Sequence, residues 1–215
     1  MGLPSGADRS FLPKKLFEQR VGSTRYAKAM LSVILGGARS GKSELAELQA
    51  CEFERSLAQD LAQMRKGFDL VPKVTYLATG KVTDGEMAVR IDAHRRRRPQ
   101  RWETLEITGV SELISSVFRT EGVILIDSLG SWLAGLESYN LDYADIGRAL
   151  RLRKGHSVVV SEEVGLGVHP SYQSGMAFRD ALGDLNRYIA GLADQVWFVV
   201  AGIPMKIGGL DSKSS

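Results

Sequence analysis

A chain of 215 residues is long enough to bury the core of one α/β domain. Its 44% hydrophobic and 25% charged residues are typical of a globular protein, and no apolar run approaches the length of a membrane span. The formal net charge is +3, but residues 1–29 carry six basic and two acidic side chains, a net of +4, which leaves −1 for the rest. A near-neutral body argues against general nucleic-acid binding.

The basic leader, residues 1–29, has no hydrophobic period and lacks the apolar core of a signal peptide, so we expect a disordered extension. Met30 begins MLSVILGG, which is typical of a domain start, and the sequence leaves open whether the leader belongs to the natural protein. Cys51 is the only cysteine, which excludes an intrachain disulfide and favours a cytoplasmic location. Residues 208–215 are also expected to be disordered, so the predicted domain covers 30–207.

Short apolar runs alternate with helical stretches along the chain. The runs lie at 31–35, 73–78, 123–127, 157–161 and 196–200. They are apolar at both odd and even positions, as in strands that are buried on both faces. Helices are predicted after Gly41, from about Asp84 to Arg98, over 143–153 and over about 175–193. This alternation predicts an α/β fold with a mostly parallel sheet, and the Ala201-Gly202 turn predicts a C-terminal antiparallel hairpin.

A phosphate loop follows the first predicted strand. The string GGARSGKS matches G-x-x-x-x-G-K-[ST] between an apolar strand and a helix, the context that a chance Gly-rich turn would lack. In such a loop, backbone N–H groups wrap phosphate oxygens, Lys42 reaches the β and γ phosphates and Ser43 binds Mg²⁺. The predicted nucleotide-binding residues here are Gly36, Gly37, Ala38, Arg39, Ser40, Gly41, Lys42 and Ser43.

Asp127 ends the run VILID, where a carboxylate can hold a Mg²⁺-bound water. Any buried strand can end in Asp, but the phosphate loop in the same chain favours the functional interpretation. The string DSLG, residues 127–130, also matches the D-x-x-G of GTPase switches. No N/T-K-x-D guanine motif follows it, so a switch GTPase is not expected.

One histidine, His94, stands directly before four arginines and a proline. Pro99 should end the preceding helix near Arg98. On that helix, Arg97 and Arg98 share a face with His94, and the first two arginines of the run point away. In the simpler interpretation His94 completes an apolar stripe and the arginines are a solvated helix end. For the string alone the simpler interpretation is favoured, and the phosphate loop weakens it because arginine forks suit triphosphate oxygens. In the alternative, adjacent cations keep His94 a neutral nucleophile.

The other two histidines carry no such signal. His156 lies in the turn KGHS and His169 precedes a proline in a loop. Three histidines so far apart, with a single cysteine, give no zinc-binding spacing.

The most specific signal is a series of motifs in fixed order: ILGGARSGKSELAE, TYLATG, DGEMAVRIDAHRRRRPQRWETLE, VILID, SEEVGLGVHP and FRDALGDLNRYIAGLADQVWFVVAGIPMKI. Over about residues 30–207 the chain resembles the bifunctional adenosylcobinamide kinase/adenosylcobinamide-phosphate guanylyltransferases of cobalamin biosynthesis. The rarest elements are E-M-x-x-R-I-x-x-H-x-x-x-R-P and E-V-G-x-G-x-x-P. The resemblance implies a RecA-like P-loop domain that assembles as a homotrimer.

The resemblance also implies a two-stage reaction. Members phosphorylate the aminopropanol hydroxyl of adenosylcobinamide with ATP or GTP, and then pass GMP from GTP through a guanylyl-histidine to form adenosylcobinamide-GDP. The expected partners are nucleotides, Mg²⁺ and a corrinoid, and the guanylylated histidine falls on His94. Beyond the phosphate loop, the implied nucleotide contacts are Ala78, Thr79, Gly80, Arg95, Arg96, Arg97, Arg98, Glu106 and Asp127.

Two adjacent acids follow the fourth predicted strand in SEEVG. Their side chains should point to opposite faces, so only one can face the site. The resemblance selects Glu163 as the base for the substrate hydroxyl or as the holder of a Mg²⁺-bound water.

The chain departs from the family pattern at three places. Ser128-Leu129-Gly130 follow Asp127 where the family commonly has Cys-Leu/Ile-Thr, Met176 stands where the family has Arg, and the segment 128–157 is short.

Two other functions are also compatible with a phosphate loop. One is a kinase of another small alcohol without guanylyl transfer, and the other is a nucleotide-dependent module that binds an acidic partner through the arginines.

Overall fold

The computed structural model describes residues 29–64, 72–80, 92, 95–167 and 170–209. Within them, one sheet contains the strands β1 (Leu31–Gly36), β2 (Val74–Ala78), β3 (Glu103–Glu106), β4 (Val123–Asp127), β5 (Ser157–Glu162), β6 (Gln195–Val200) and β7 (Ile203–Gly208). The helices are α1 (Lys42–Met64), α2 (Val110–Arg119), α3 (Leu129–Ala134), α4 (Tyr143–Leu152) and α5 (Gln173–Leu192). None of the described helices has the length and hydropathy of a membrane span.

The strand order is β3-β2-β4-β5-β1-β6-β7, and every neighbouring pair is parallel except β6–β7, which is antiparallel. The predicted α/β P-loop architecture with a C-terminal antiparallel hairpin is therefore confirmed. Because parallel strands end at the same edge of a sheet, their carboxyl ends meet there. The register pairs Gly36 with Glu162 and Ala78 with Asp127 at that edge.

Helices cover both faces of the sheet, as buried parallel strands require. On one face α1, the helix predicted after Gly41, buries Ala46 and Ala50 against β1, β4 and β5. On the other face α2 to α5 enclose a larger core that contains the fully buried Trp132.

Two buried polar side chains anchor the start of β1. The Asp194 carboxylate accepts a hydrogen bond of 2.8 Å from the backbone N–H of Leu31. His156 Nδ1 accepts one of 3.2 Å from the N–H of Met30, and its ring stacks on Phe53 at 4.6 Å. Burial, and then the charge of Arg153, lower the pKa of His156, which keeps the ring neutral. His156 is thus a structural residue, and β1 leads into the phosphate loop from a fixed start.

The five strands predicted from apolar runs agree with the structure within one residue at each end. The strand β3 was not predicted, because its four residues, Glu-Thr-Leu-Glu, are mostly exposed at the sheet edge and carry no apolar run. Neither α2 nor the six-residue α3 was predicted either. The short segment after Asp127 therefore still contains a helix, α3, before α4.

Three predictions fall wholly or partly outside the described residues. The leader is described only at Ala29, and the tail only at Gly208 and Gly209, of which Gly208 ends β7. Most of the helix predicted from Asp84 is also outside; its described positions Asp92 and 95–97 have helical backbone. The predictions of a disordered leader and tail stay predictions.

Candidate active site

The phosphate loop joins β1 to α1 in the conformation that its glycine pattern requires. Gly41 has a φ of +93°, in the left-handed region that residues with a Cβ rarely adopt. Lys42 turns its ammonium back over the loop, where Nζ donates a hydrogen bond of 3.1 Å to the carbonyl of Gly37. The side chain of Lys42 is 11% exposed, so its charge faces the concave side of the loop, where phosphates bind in such loops.

A cavity of about 930 Å³ opens at the carboxyl ends of the strands, in front of this loop. Ligands of open α/β sheets bind at this edge, and the volume is that of a small-molecule site. The predicted site residues that line the cavity are Ala38, Arg39, Ser40, Gly41, Lys42, Ser43, Ala78, Gly80, Arg95, Arg97, Arg98, Glu106 and Asp127.

A hydroxyl and a carboxylate meet where Mg²⁺ was predicted. Ser43 Oγ donates a hydrogen bond of 3.3 Å to Asp127 Oδ1, and the phenol of Tyr76 donates one of 2.9 Å to Oδ2. Oxygen donors in this number fit Mg²⁺, which is usually held by one or two protein oxygens together with waters and substrate phosphates. In the described part of the chain no cluster of three or more His, Cys, Asp or Glu offers an all-protein metal cage.

Tyr76 was not predicted as a site residue. It lies on β2 two positions before Ala78, so the period of the strand would have put both on the same side. Burial, and then the charge of Asp127, raise the pKa of Tyr76 well above its ordinary value. The phenol therefore stays protonated and serves as a permanent donor to Asp127.

The arginine segment, residues 95–98, lies beside β2 and contributes side chains to the cavity lining. The guanidinium of Arg98 lies 3.7 Å from the centre of the Tyr76 ring. Arg97 pairs with two carboxylates of α1, at 2.8 Å from Glu44 and 3.4 Å from Glu47. This part of the chain is thus docked on the helix that follows the phosphate loop, and it is not a freely solvated helix end.

Three of the four arginines line the cavity: Arg95, which lies 3.6 Å from Glu106, and Arg97 and Arg98. Arg96 does not line it, and its exposed guanidinium pairs with Asp92. Which of the arginines share a helix face with His94 stays a prediction. His94 lies outside the described residues, so its role stays a prediction.

Thr79 does not line the cavity but holds residues that do. It is buried, and its hydroxyl donates a hydrogen bond of 2.7 Å to the carbonyl of Ser128. Its N–H donates to the carbonyl of Asp127 at 3.4 Å. Thr79 thus ties β2 to the end of β4, whereas Ala78 and Gly80 on either side line the cavity. Gly36 and Gly37 are likewise absent from the cavity lining.

The expectation that Glu163 faces the site requires correction. Glu162 is the acid that lines the cavity, with Oε1 at 3.7 Å from Lys42 Nζ. The Glu163 carboxylate turns back and accepts a hydrogen bond of 2.8 Å from the N–H of Gly165. The alternation argument was right that only one acid faces the site, but the resemblance selected the wrong one.

These features define the class of protein: a P-loop protein with a single cavity in front of its phosphate loop among the described residues. The particular family follows from comparison with known proteins. The family model described as cobinamide kinase / cobinamide phosphate guanyltransferase matches residues 32–207, and the chain belongs to this family. The resemblance derived from the motifs is thereby confirmed.

Relatives of this family match along almost their whole length. The chain is 37% identical over 187 residues to the bifunctional adenosylcobalamin biosynthesis protein CobP of Pseudomonas aeruginosa, covering 84% of this chain and 98% of that protein. It is 31% identical over 198 residues to the bifunctional adenosylcobalamin biosynthesis protein CobU of Escherichia coli K12, covering 83% and 99%.

A solved structure is similar at lower identity. The flagellar accessory protein FlaH from Methanocaldococcus jannaschii has 17% identity and a TM-score of 0.43, covering 86% of this chain and 81% of that one. A solved ATPase domain of another protein has 15% identity and a TM-score of 0.41, covering 80% and 70%.

Proposed function

We propose that this protein phosphorylates adenosylcobinamide and then converts the phosphate to adenosylcobinamide-GDP. In the first stage the aminopropanol hydroxyl of adenosylcobinamide attacks the γ-phosphorus of ATP or GTP, and the nucleoside diphosphate leaves. In the second stage an imidazole nitrogen of His94 attacks the α-phosphorus of GTP, and pyrophosphate leaves. The phosphate of adenosylcobinamide phosphate then attacks the same phosphorus, forms the diphosphate bond and releases His94.

The single observation that carries the proposal is the shared cavity. The phosphate loop, Asp127 and the docked arginine segment face one space of about 930 Å³. The first two features bind a triphosphate and its metal, and the arginine segment adds further positive charge to the same space. Cations beside a transferred nucleotide stabilise the charge that builds up on departing pyrophosphate. Membership of the cobinamide kinase / cobinamide phosphate guanyltransferase family supports the same pair of reactions.

The proposed metal is Mg²⁺, which Ser43 and Asp127 would hold together with phosphate oxygens. When bound, Mg²⁺ supplies positive charge that neutralises the triphosphate. Two hydrogen bonds support this assignment. Ser43 Oγ lies 3.3 Å from Asp127 Oδ1, and the Tyr76 hydroxyl donates to Asp127 Oδ2. Because the tyrosine bonds Oδ2, the other oxygen of Asp127 faces Ser43.

The nucleotide contacts proposed for the arginine segment are those of Arg95, Arg97 and Arg98, which line the cavity. Arginine forks suit triphosphate oxygens because they donate two parallel hydrogen bonds. Glu106, beside Arg95, is proposed as a further nucleotide contact. Since Arg96 pairs with Asp92 away from the cavity, we assign it no contact with nucleotide.

We propose a homotrimer in the cytoplasm, with nucleotides and a corrinoid as its small-molecule partners. The family resemblance is the basis for the trimer. What supports self-association is a strip of exposed apolar side chains on the C-terminal hairpin, of which Ile203 is 65% and Ile207 59% exposed. Light scattering after size exclusion would show a single species of three chains, and a monomer at all concentrations would contradict the trimer.

The deciding experiment is covalent labelling with GTP that carries ³²P at the α-phosphorus. Label should become attached to the wild-type protein and be chased by adenosylcobinamide phosphate. The adduct should be acid-labile and alkali-stable, as expected of a P–N bond. His94→Asn should abolish labelling while His169→Asn, a matched histidine variant, keeps it.

Each alternative function has its own outcome in the same assays. Phosphorylation of a small alcohol without labelled protein would indicate a plain kinase. Nucleotide binding without turnover would indicate a binding module. Label that persists in the His94→Asn variant, or an alkali-labile bond, would move the nucleophile to another residue.

A further inference from the structure

The carboxylate of Glu162 lies beside the phosphate-binding lysine and is not used by the nucleotide contacts described above. Its Oε1 is 3.7 Å from Lys42 Nζ, and its side chain is 28% exposed and lines the cavity. In a P-loop the lysine lies against the β and γ phosphates. Glu162 therefore borders the place where the γ-phosphoryl group is transferred.

The position of this carboxylate is held by several neighbours. The Ser128 hydroxyl lies 2.8 Å from Oε1 and 2.9 Å from Oε2, and it also accepts the N–H of Ser131 at the start of α3. The buried Asn186 donates a hydrogen bond of 2.9 Å to the backbone carbonyl of Glu162. Gly130 completes the arrangement, because a Cβ at that position would overlap the carboxylate.

Neutralising the charge of Lys42 does not by itself explain a carboxylate at this position. The ammonium already donates to the carbonyl of Gly37, and bound phosphates would supply it with negative charge. A second anion next to those phosphates is repelled by them, which weakens nucleotide binding. An acid that is built into such a place by Ser128 and Gly130 is suited to receive a proton from a neutral reactant.

The cavity that Glu162 lines also has apolar lining residues. Ala134 at the end of α3, Val164 just after β5 and Phe178 on α5 are among them. Apolar side chains do not bind phosphates, so these residues suit the body of an acceptor molecule. An acceptor seated there would present its hydroxyl between Glu162 and the γ-phosphate.

We propose that Glu162 is the general base of the kinase stage. The acceptor oxygen bonds to the γ-phosphorus as its proton passes to the Glu162 carboxylate, and the bond from the γ-phosphorus to the bridging oxygen breaks. The nucleoside diphosphate leaves with that electron pair, and the proton on Glu162 is later released to solvent. Ser128 is the positioning residue for this base. The inference rests on the proposed function, since it assigns a role within the first of the two reactions.

The guanylyl stage has no need of this base. A neutral imidazole attacks without losing a proton from the attacking nitrogen, and the phosphate that attacks next is already ionised at neutral pH. Replacing Glu162 should therefore slow the kinase reaction and spare guanylyl transfer, although both reactions use one triphosphate site.

The test measures both reactions in Glu162→Gln and, for comparison, in Glu163→Gln. Kinase activity is followed with γ-labelled ATP and adenosylcobinamide, and guanylyl transfer with α-labelled GTP and adenosylcobinamide phosphate. In Glu162→Gln the kinase kcat should fall about a hundredfold or more, the typical effect of a general base, while the KM for ATP should not rise, because a charge that repels the phosphates is removed. Guanylyl transfer should stay within about threefold of wild type, and Glu163→Gln should change either rate by less than about threefold.

A second variant, Ser128→Ala, keeps the carboxylate but removes its donor. It should lower the kinase kcat by about fivefold to tenfold, since one hydrogen bond to a charged group is lost, and leave guanylyl transfer unchanged. This variant decides the question if Glu162→Gln does not fold. Full kinase activity in Glu162→Gln, or loss of both reactions in a folded Glu162→Gln, would overturn the role of Glu162. Absence of adenosylcobinamide phosphorylation by the wild-type protein would instead overturn the proposed function itself, and this role with it.

Discussion

The phenol of Tyr76 donates a hydrogen bond of 2.9 Å to Oδ2 of Asp127, across two neighbouring parallel strands. The same tyrosine ring carries the guanidinium of Arg98 on its face at 3.7 Å. One side chain thus touches both the carboxylate proposed for Mg²⁺ and a cation of the docked arginine segment. Tyr76 therefore links the end of β4, which carries Asp127, to the segment that carries Arg98.

Tyr76→Phe should weaken Mg²⁺ use without disturbing Arg98. The variant keeps the ring under the guanidinium but removes the donor to Asp127, at a cost of about 1 kcal/mol in a site open to water. The Mg²⁺ concentration for half-maximal kinase activity should rise about fivefold, as measured by titration at saturating ATP. Tyr143→Phe is the matched control, because that hydroxyl bonds the carbonyl of Ala181 away from the cavity. An unchanged Mg²⁺ dependence in Tyr76→Phe would show that the hydroxyl does not orient Asp127.

Lys42→Ala and Asp127→Asn should depress both reactions together. The first removes the charge at the β and γ phosphates and the second removes a carboxylate from the proposed Mg²⁺ site, each costing about a hundredfold or more in rate. Kinase and guanylyl-transfer rates would be measured side by side, with Lys73→Ala, an exposed lysine before β2, as control. A variant that lost one reaction and kept the other in full would require two separate nucleotide sites.

The arginines of the run should differ in importance. Arg97→Ala removes a guanidinium that lines the cavity, and covalent labelling from α-labelled GTP should slow by about tenfold or more. Arg96→Ala removes one that pairs with Asp92 on the exposed side, and labelling should change by less than about twofold. Initial labelling rates at subsaturating GTP make the comparison. Equal losses in the two variants would mean that the run acts through its net charge and not through particular side chains.

His156 should make the stability of the fold depend on pH. Its pKa is lowered in the folded state by burial and then by Arg153, so the unfolded chain takes up the proton at a higher pH than the folded chain does. The stabilisation is complete above the ordinary value of 6.5 and is lost as the pH falls from there through the folded pKa. Urea denaturation between about pH 8 and pH 5 should show the free energy of unfolding falling more steeply in wild type than in His156→Gln. Parallel pH dependences for the two proteins would contradict this account.

The sequence by itself determined the features that depend on local pattern. Strands buried on both faces are apolar throughout, and a phosphate loop needs its glycines and lysine at set spacing between strand and helix. For this reason β1, β2, β4, β5 and β6 could be predicted within one residue. The motifs alone also selected Lys42, Ser43 and Asp127, which the structure brings to one cavity. The exposed β3 could not, because it lacks an apolar pattern and exists only by pairing with β2 at the sheet edge.

Only the tertiary structure decided which polar side chains meet at the site. Glu162, not Glu163, faces Lys42, since this depends on how the end of β5 is aligned with Gly36 and on the space left by Gly130. Arg95 enters the cavity because the arginine segment is docked on α1 by ion pairs whose partners lie far earlier in the chain. Such contacts join distant parts of the sequence, and the physical reason they escape sequence-based prediction is that no local period records them.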